Sequence, residues 1–539
     1  MKKTILIAAA TVTVGVALAA CSQRGSEPAG KKQEITLMQT GNLTTLDSSR
    51  DATLPEFNTL QNTSEGLYKL NKKNQPTPAM ATKIVKPTNG GKTYTFNIRK
   101  DAKWSNGQDV TATDFVTAWR RAVNPKLEPV YSYVFSGIKN ADKVAAGKLP
   151  VSKLGIKALG KHKLQIDLDA PMPAFNQLVT MPVFLPQNTA MVKKTGNKFA
   201  SSDKTFVSNG PFKVAGWTGV NDSYKLTRNK YYYDKHQIKL SQINYRIVKD
   251  SNTAKSLFSQ NKLDDATLTG VVARGSAKDK DAIHVKRAWT YYLQLNQRKN
   301  APLKNQKLRQ AINLAINKDT IADKILADGS KVASSFVSPG VATDPTTGKD
   351  FSAEMQTSTK ANAKKARQLW KTGLEETGKN KIQLRMVGDD QEITKEIAQY
   401  IQSQLERKLP GLEVSIQNLP DKGLQNKKTD GDFDISQWYW LADYADPINY
   451  FGVFTKGSPM NSGQYYDKKY QQIINQAKTN AKSEKSYWRD MRNAEKRLQD
   501  TTAMVPLYYV SETHLVNPKL KGVMYHVAGE HDYTRAYIK

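Results

Sequence analysis

The side chains whose types and spacing could do chemistry are a few carboxylates, a run of aromatics and six scattered histidines. One carboxylate stands apart by its neighbours. Asp443 follows Gln437-Trp438-Tyr439-Trp440-Leu441-Ala442 and precedes Tyr444 and Asp446-Pro447. An acid walled by Trp438, Tyr439, Trp440 and Tyr444 suits one cationic head group on a partly apolar ligand. The same residues also describe a core strand followed by an acidic turn cap, with Asp446 as the alternative acid. Enzyme chemistry has less to stand on. His162, His236, His284, His514, His526 and His531 show no H-E-x-x-H or other metal-ligand spacing, and no G-x-S-x-G elbow is present. Asp432/Asp434 and Asp443/Asp446 are close, but neighbouring acids usually cap turns. Gly90-Gly-Lys-Thr93 is not the end of a phosphate-binding loop, because Lys86 stands where the first glycine is needed. No catalysis, metal or cofactor is expected.

The element that must position Asp443 is the stretch from Asp432 to Trp440, with the β-branched and aromatic content of a strand. It breaks at Asp443, and Pro447 bars its continuation as a central strand. Strand ends in α/β sheets are where ligands bind. Further strands are expected at Ile35/Leu37, at Tyr94/Phe96/Ile98 after an Asn89-Gly-Gly91 turn, at Leu164/Ile166/Leu168, and over 503–510. A polar loop is expected from the first strand to Thr63. Thr113 or Asp114 is expected to cap a helix over 115–121, and Asp319 a helix that stops near Gly329. Leu308, Ala311, Ile312, Ala315 and Ile316 share one helix face. Residues 381–417 read as a β-α-β unit, with Ile393, Ile397, Ile401 and Leu405 striping its helix.

At 539 residues and 60.2 kDa the chain should form two or three domains. Lys2 and Lys3, the apolar run from Ile5 to Ala17 and Leu18-Ala-Ala-Cys21 read as a signal peptide. Small residues before the one cysteine resemble a bacterial lipobox. That resemblance implies cleavage after residue 20 and lipidation of Cys21, with 21–32 as a polar Gly/Pro tether. The formal net charge is +32, with the lysines spread along the chain. An envelope of anionic lipids and polymers is the more economical partner for that charge than nucleic acid.

Trp440-Leu-Ala-Asp-Tyr-Ala-Asp-Pro447 resembles the W-x-A-D-Y-x-[DE]-P segment of the oligopeptide-binding lipoproteins of bacterial ABC importers. Lys103-Trp-Ser-Asn-Gly-Gln-Asp-Val-Thr-Ala-Thr-Asp-Phe115 resembles a second block of that family. The resemblance implies an α/β, periplasmic-binding-protein-like fold with two main lobes, a hinge and an extra subdomain. It divides the chain into a discontinuous domain I (33–62, 180–285, 503–539), domain II (63–179) and domain III (286–502). It gives Asp443 the peptide's α-amino group, and Gln437, Tyr439, Leu441 and Leu54 the peptide backbone. Trp440, Tyr291, Tyr292, Tyr133 and Tyr508 become candidate pocket walls. The positions that would hold a peptide carboxylate are occupied by Thr394, Lys428 and Gln437, of which only Lys428 is cationic. The implied partners are oligopeptides, a membrane permease, and membrane lipid through Cys21. The implied protein is a monomer on the outer face of a Gram-positive cell membrane. A signal-peptide or adhesin role on the same fold, or a surface peptidase, are the alternatives.

Overall fold

In the strand Glu34–Gln39, Ile35 and Leu37 point into the core while their neighbours are half-buried, the period-2 pattern of a strand. Its partners are distant in sequence: Gln242–Ile247 on one side and Asp265–Leu268 on the other, both parallel to it. The computed structural model describes residues 33–539, apart from 51–52, 299–300, 346 and 480–482. The signal segment, Cys21 and the tether lie outside the described residues.

The largest sheet among the described residues has eleven strands. From one edge the order is Leu412–Leu419, Ile382–Asp389, Ile435–Leu441, Ala282–Leu295, Met504–Val516, Asp265–Leu268, Glu34–Gln39, Gln242–Ile247, Ser223–Arg228 and Phe212–Ala215, with Lys331–Val332 added to Met504–Val516. Two long strands carry this sheet through its middle. Ala282–Leu295 and Met504–Val516 pair antiparallel from Ala282↔Leu515 to Gln294↔Met504. Their register breaks between Lys286 and Thr290, where Arg287, Ala288 and Trp289 stand opposite Val510 alone. Such a bulge bends the ribbon and increases its twist. The Ala288 N–H leaves the ladder to bond the Val527 carbonyl at 2.7 Å.

Separate apolar clusters lie along the chain. One joins Phe96, Trp104, Phe115, Trp119, Leu164 and Phe184. A second joins Ile35, Leu37, Trp217, Leu226 and Ile243 with Ala536. Two more, drawn from 288–528 together with Ala174, lie around Leu308/Ile312/Ile401/Leu405 and around Tyr292/Phe336/Tyr450/Phe454. The expected β-α-β unit is present as Ile382–Asp389, Glu392–Lys408 and Leu412–Leu419, with the strands parallel.

Three local expectations are corrected. Residues 54–63 are not loop: Leu54–Thr63 is a helix, closed by a capping box of Thr53 and Glu56 with Pro55 in the first turn. The second helix starts at Ala112 with Thr111 as its cap, and Asp114 at the third position completes the box. Asn317, not Asp319, is the cap near 318: its side-chain oxygen accepts the Asp319 and Thr320 N–H groups, and the following turns end at Ala327 in the left-handed region. In the last two cases a short side chain two or three places upstream reaches the free N–H groups better.

Gly210 sits where two backbone segments approach closely. Its N–H bonds the Thr63 carbonyl at 2.9 Å, while the Asn209 side chain holds both N–H and C=O of Glu65. A Cβ on Gly210 would stand 2.7 to 2.8 Å from the Ser64 and Thr63 backbones. Gly210→Ala is therefore expected to lower stability by about 1–3 kcal/mol, read as a drop in the thermal midpoint.

Candidate ligand-binding cleft

The strand Ile435–Leu441 is paired along its whole length on one side, from Ile435↔Leu295 to Leu441↔Trp289. On the other side it meets Ile382–Asp389 only at Ile435 and Ser436. Beyond Ser436, no strand among the described residues pairs with that edge. Gln437–Leu441 thus present an open row of backbone donors and acceptors, the usual docking edge for an added strand.

Asp443 stands just past the end of this open edge, half-buried. Its Oδ1 accepts from the Tyr133 hydroxyl at 3.2 Å and its Oδ2 from the Asn449 amide at 3.2 Å. Asn449 Oδ1 accepts in turn from the Asp443 N–H at 3.1 Å and the Trp440 indole at 3.0 Å. No cation among the described residues contributes to its environment, and burial raises its pKa against the lowering effect of the two hydrogen bonds. A carboxylate held by neutral donors and left without a counter-ion is prepared for an incoming cation. Asp446 differs. It is buried, caps the helix Pro447–Phe451 through the Ile448 N–H at 3.0 Å, and accepts the Tyr487 hydroxyl. Burial pushes its pKa up to about 6.

Asp443 opens on a cavity with about 140 Å³ of space for the centres of water molecules. Leu54, Phe57, Tyr131, Met181, Leu185 and Leu441 form its apolar wall. Glu65, Lys69, Arg287, Glu530 and Asp532 are its other charged linings. Glu65 is already satisfied by the Tyr232 and Tyr233 hydroxyls at 2.6 and 2.8 Å and by Lys69 at 3.0 Å. Arg287 is 5% exposed and donates to the His526 and Gly529 carbonyls. Burial pushes Glu530 up to about 7.

Of the residues singled out in the sequence, Leu54, Leu441 and Asp443 line the cavity, and Tyr133 joins it through Asp443. Leu54 is the first residue of a helix, where an N–H has no intrahelical acceptor. Trp440 acts on Asp443 through Asn449, a residue the sequence reading missed. Tyr292 is corrected from wall to core: it is fully buried, edge-on to Phe336 at 5.3 Å and to Phe454 at 5.9 Å. Tyr291 and Tyr439 are register partners on the opposite face and form a ladder with Tyr508, at 5.3 and 4.8 Å from Tyr291. Tyr508 is itself buried in the cluster behind that face. The Gln437 side chain turns inward to the Thr394 carbonyl at 3.2 Å, which leaves its backbone for the edge. Lys428 is 2% exposed, with its Nζ 2.8 Å from the centre of the Trp438 ring. Burial lowers its pKa to about 6, and it does not line the cavity.

The profile described as "Bacterial extracellular solute-binding proteins, family 5 Middle" matches residues 75–462. The chain belongs to this family. It is 32% identical to the dipeptide-binding protein of Lactococcus lactis subsp. cremoris, over the whole of both chains. Listeria monocytogenes OppA, solved bound to peptide, shares 34% identity and a TM-score of 0.75, over 94% of this chain and 99% of that one. The unliganded open form of MppA, a murein tripeptide-binding protein, shares 26% identity and a TM-score of 0.80, over 94% and 98%. Family 5 is a family of periplasmic-binding-protein-like solute binders, not of enzymes. No helix among the described residues is long and apolar enough to cross a membrane.

Proposed function

We propose that this protein captures oligopeptides outside the cytoplasm and delivers them to an ABC import permease, held at the membrane by lipid on Cys21. The observation that carries the reading is the pairing of an open strand edge, Gln437–Leu441, with a carboxylate that lacks a counter-ion at its end. Peptides of many sequences share only a backbone and termini, and strand addition binds those. On this reading Asp443 takes the peptide amine, while Gln437, Tyr439 and Leu441 bond its backbone from one side and Leu54 from the other. The apolar wall around Phe57, Tyr131 and Leu185 receives side chains. The peptide-bound Listeria relative and the Lactococcus dipeptide binder support the ligand class. Lys428 has no part as a carboxylate clamp, so peptide length is loosely set.

We propose further that the clusters correspond to the three lobes 33–62/180–285/503–539, 63–179 and 286–502, and that the bulged ribbon at Arg287–Trp289 is where they swing shut. The higher TM-score to an unliganded open form supports an open starting state. Mass spectrometry of ligands released from gently purified protein tests the class: peptides of several lengths are expected, and a metal chelate or sugar in their place overturns it.

The pH profile follows from the charges. Binding needs an ionised Asp443 and a protonated amine, whose pKa is near 7.7–8.0. Burial raises the Asp443 pKa in the empty protein, so affinity falls as the pH drops through that raised value. It falls again above the amine pKa. Calorimetry with one peptide from acid to alkaline pH should give a bell, and a flat acid limb would sink the assignment.

A further inference from the structure

Behind the cavity floor lies a cluster that peptide binding does not use. Glu512 and His514, two apart on the strand Met504–Val516, point the same way, and His531 reaches them from the C-terminal segment. Glu512 Oε2 is 3.4 Å from His514 Nε2 and 3.2 Å from His531 Nε2, and the three ligating atoms lie within 4.8 Å of one another. Bonds of about 2.0–2.1 Å to a tetrahedral zinc ion set neighbouring ligand atoms about 3.3 Å apart. Two of the three edges already have that length.

The outer side of each group fits the same purpose. His514 Nδ1 is 2.7 Å from Asp265 Oδ1, the carboxylate–imidazole contact that orients a metal-binding histidine. Asp265 is held in place by the Tyr525 and Tyr533 hydroxyls at 2.6 and 2.8 Å. Arg287 Nε lies 3.3 Å from Glu512 Oε1 and leaves Oε2 to face the rings. His514 bridges two carboxylates, with Nδ1 on Asp265 and Nε2 on Glu512. A zinc ion would take the place of the proton on Nε2 and leave the Nδ1–H on Asp265. His531 is 9% exposed and its Nδ1 has no hydrogen-bond partner. Glu512 and Glu530 share the one Arg287 guanidinium.

We propose that Glu512, His514 and His531 form a zinc site, with a fourth position open to water on the side where Glu512 is 25% exposed. Two imidazoles and one carboxylate suit zinc among the divalent ions. The site joins a central strand to the C-terminal segment beside the bulged ribbon. The proposal stands whether or not the ligand of the cleft is a peptide.

The test uses the full chain in detergent, stripped with a chelator and desalted. Titration with zinc chloride alone should show one equivalent bound, and Cys21→Ser should bind as well as wild type. Cobalt(II) chloride should give the visible bands of a tetrahedral ion. His531→Gln keeps a hydrogen bond to Glu512 but should weaken zinc binding at least ~100-fold, and Asp265→Asn by ~10–100-fold. His236→Ala, at an exposed histidine, should change nothing. Wild-type protein without a stoichiometric zinc equivalent or the cobalt bands overturns the proposal whatever the variants do. A folded His531→Gln that binds zinc as tightly as wild type also overturns it.

Discussion

Asp443→Asn is expected to weaken peptide binding at least ~100-fold, which is ~2.7 kcal/mol. A carboxylate ~4 Å from an ammonium contributes ~4 kcal/mol at an effective dielectric of ~20, before desolvation is subtracted. Removing one member of a buried pair typically costs ~3–5 kcal/mol. Asparagine keeps the shape, and Tyr133 and Asn449 still find hydrogen-bonding atoms, so the thermal midpoint should barely move. N-acetylated peptides should bind wild type poorly, and the variant should discriminate much less against them. The rival acids are separable. Asp446 is occupied as a helix cap and by Tyr487, so Asp446→Asn should lower stability and leave the amine preference intact. Glu530 faces the same cavity beside Arg287. If Glu530→Gln abolished the amine preference and Asp443→Asn did not, the assignment of Asp443 would be wrong.

Arg309→Met is expected to cost about 4 kcal/mol or more in stability, with no change in peptide preference. Arg309 lies in the helix Gln306–Ala315, 5% exposed. Its guanidinium donates to the Leu303 and Lys304 carbonyls at 2.9 Å, to Thr502 at 2.8 Å and to Thr501 at 2.6 Å. It thereby closes the ends of two helical turns at once, the short Pro302–Lys304 turn and the helix Glu484–Thr501. Burial lowers its pKa only to about 10, so it stays charged at neutral pH among carbonyl dipoles. Methionine fills the space but leaves four carbonyls without their donor, at ~1 kcal/mol or more each. Arg309→Lys should recover part of the loss, because an ammonium cannot span both turns. A thermal midpoint unchanged in Arg309→Met would contradict this account.

The strand before Asp443 was legible because β-branched and aromatic residues crowd it and a proline ends the room for it. The β-α-β unit was legible because its two periods are clean. The open edge was not, since it depends on how far a strand fifty residues upstream runs alongside. Tyr291 and Tyr292 look alike in sequence, and only the register with Trp438 and Tyr439 sends one to a ladder and the other to the core. The helix Leu54–Thr63 was written in its Thr-Leu-Pro-Glu start, but a polar composition hid it. Asn449 carries no local sign of its role, which rests on bonds to Trp440 and Asp443 formed across a turn. His531 lies nineteen positions from Glu512, too far for any spacing rule to join them.

The strand Glu34–Gln39 has a consequence for how the chain reaches its native state. Its sheet partners begin at Gln242 and Asp265, and the side chain of Gln33 bonds the backbone of Ile538, 505 positions away. Contacts of such separation close slowly, because the loop entropy is lost before the pairing compensates for it. A chain made from its N-terminus holds this strand unpaired until the segment from Gln242 has been synthesised, and leaves Gln33 without its Ile538 contact until the very end. The cluster within 67–184 draws all its buried members from that stretch and can fold first. The sheet that bears the open edge assembles last, so the competent binding surface is a late event in the life of each molecule.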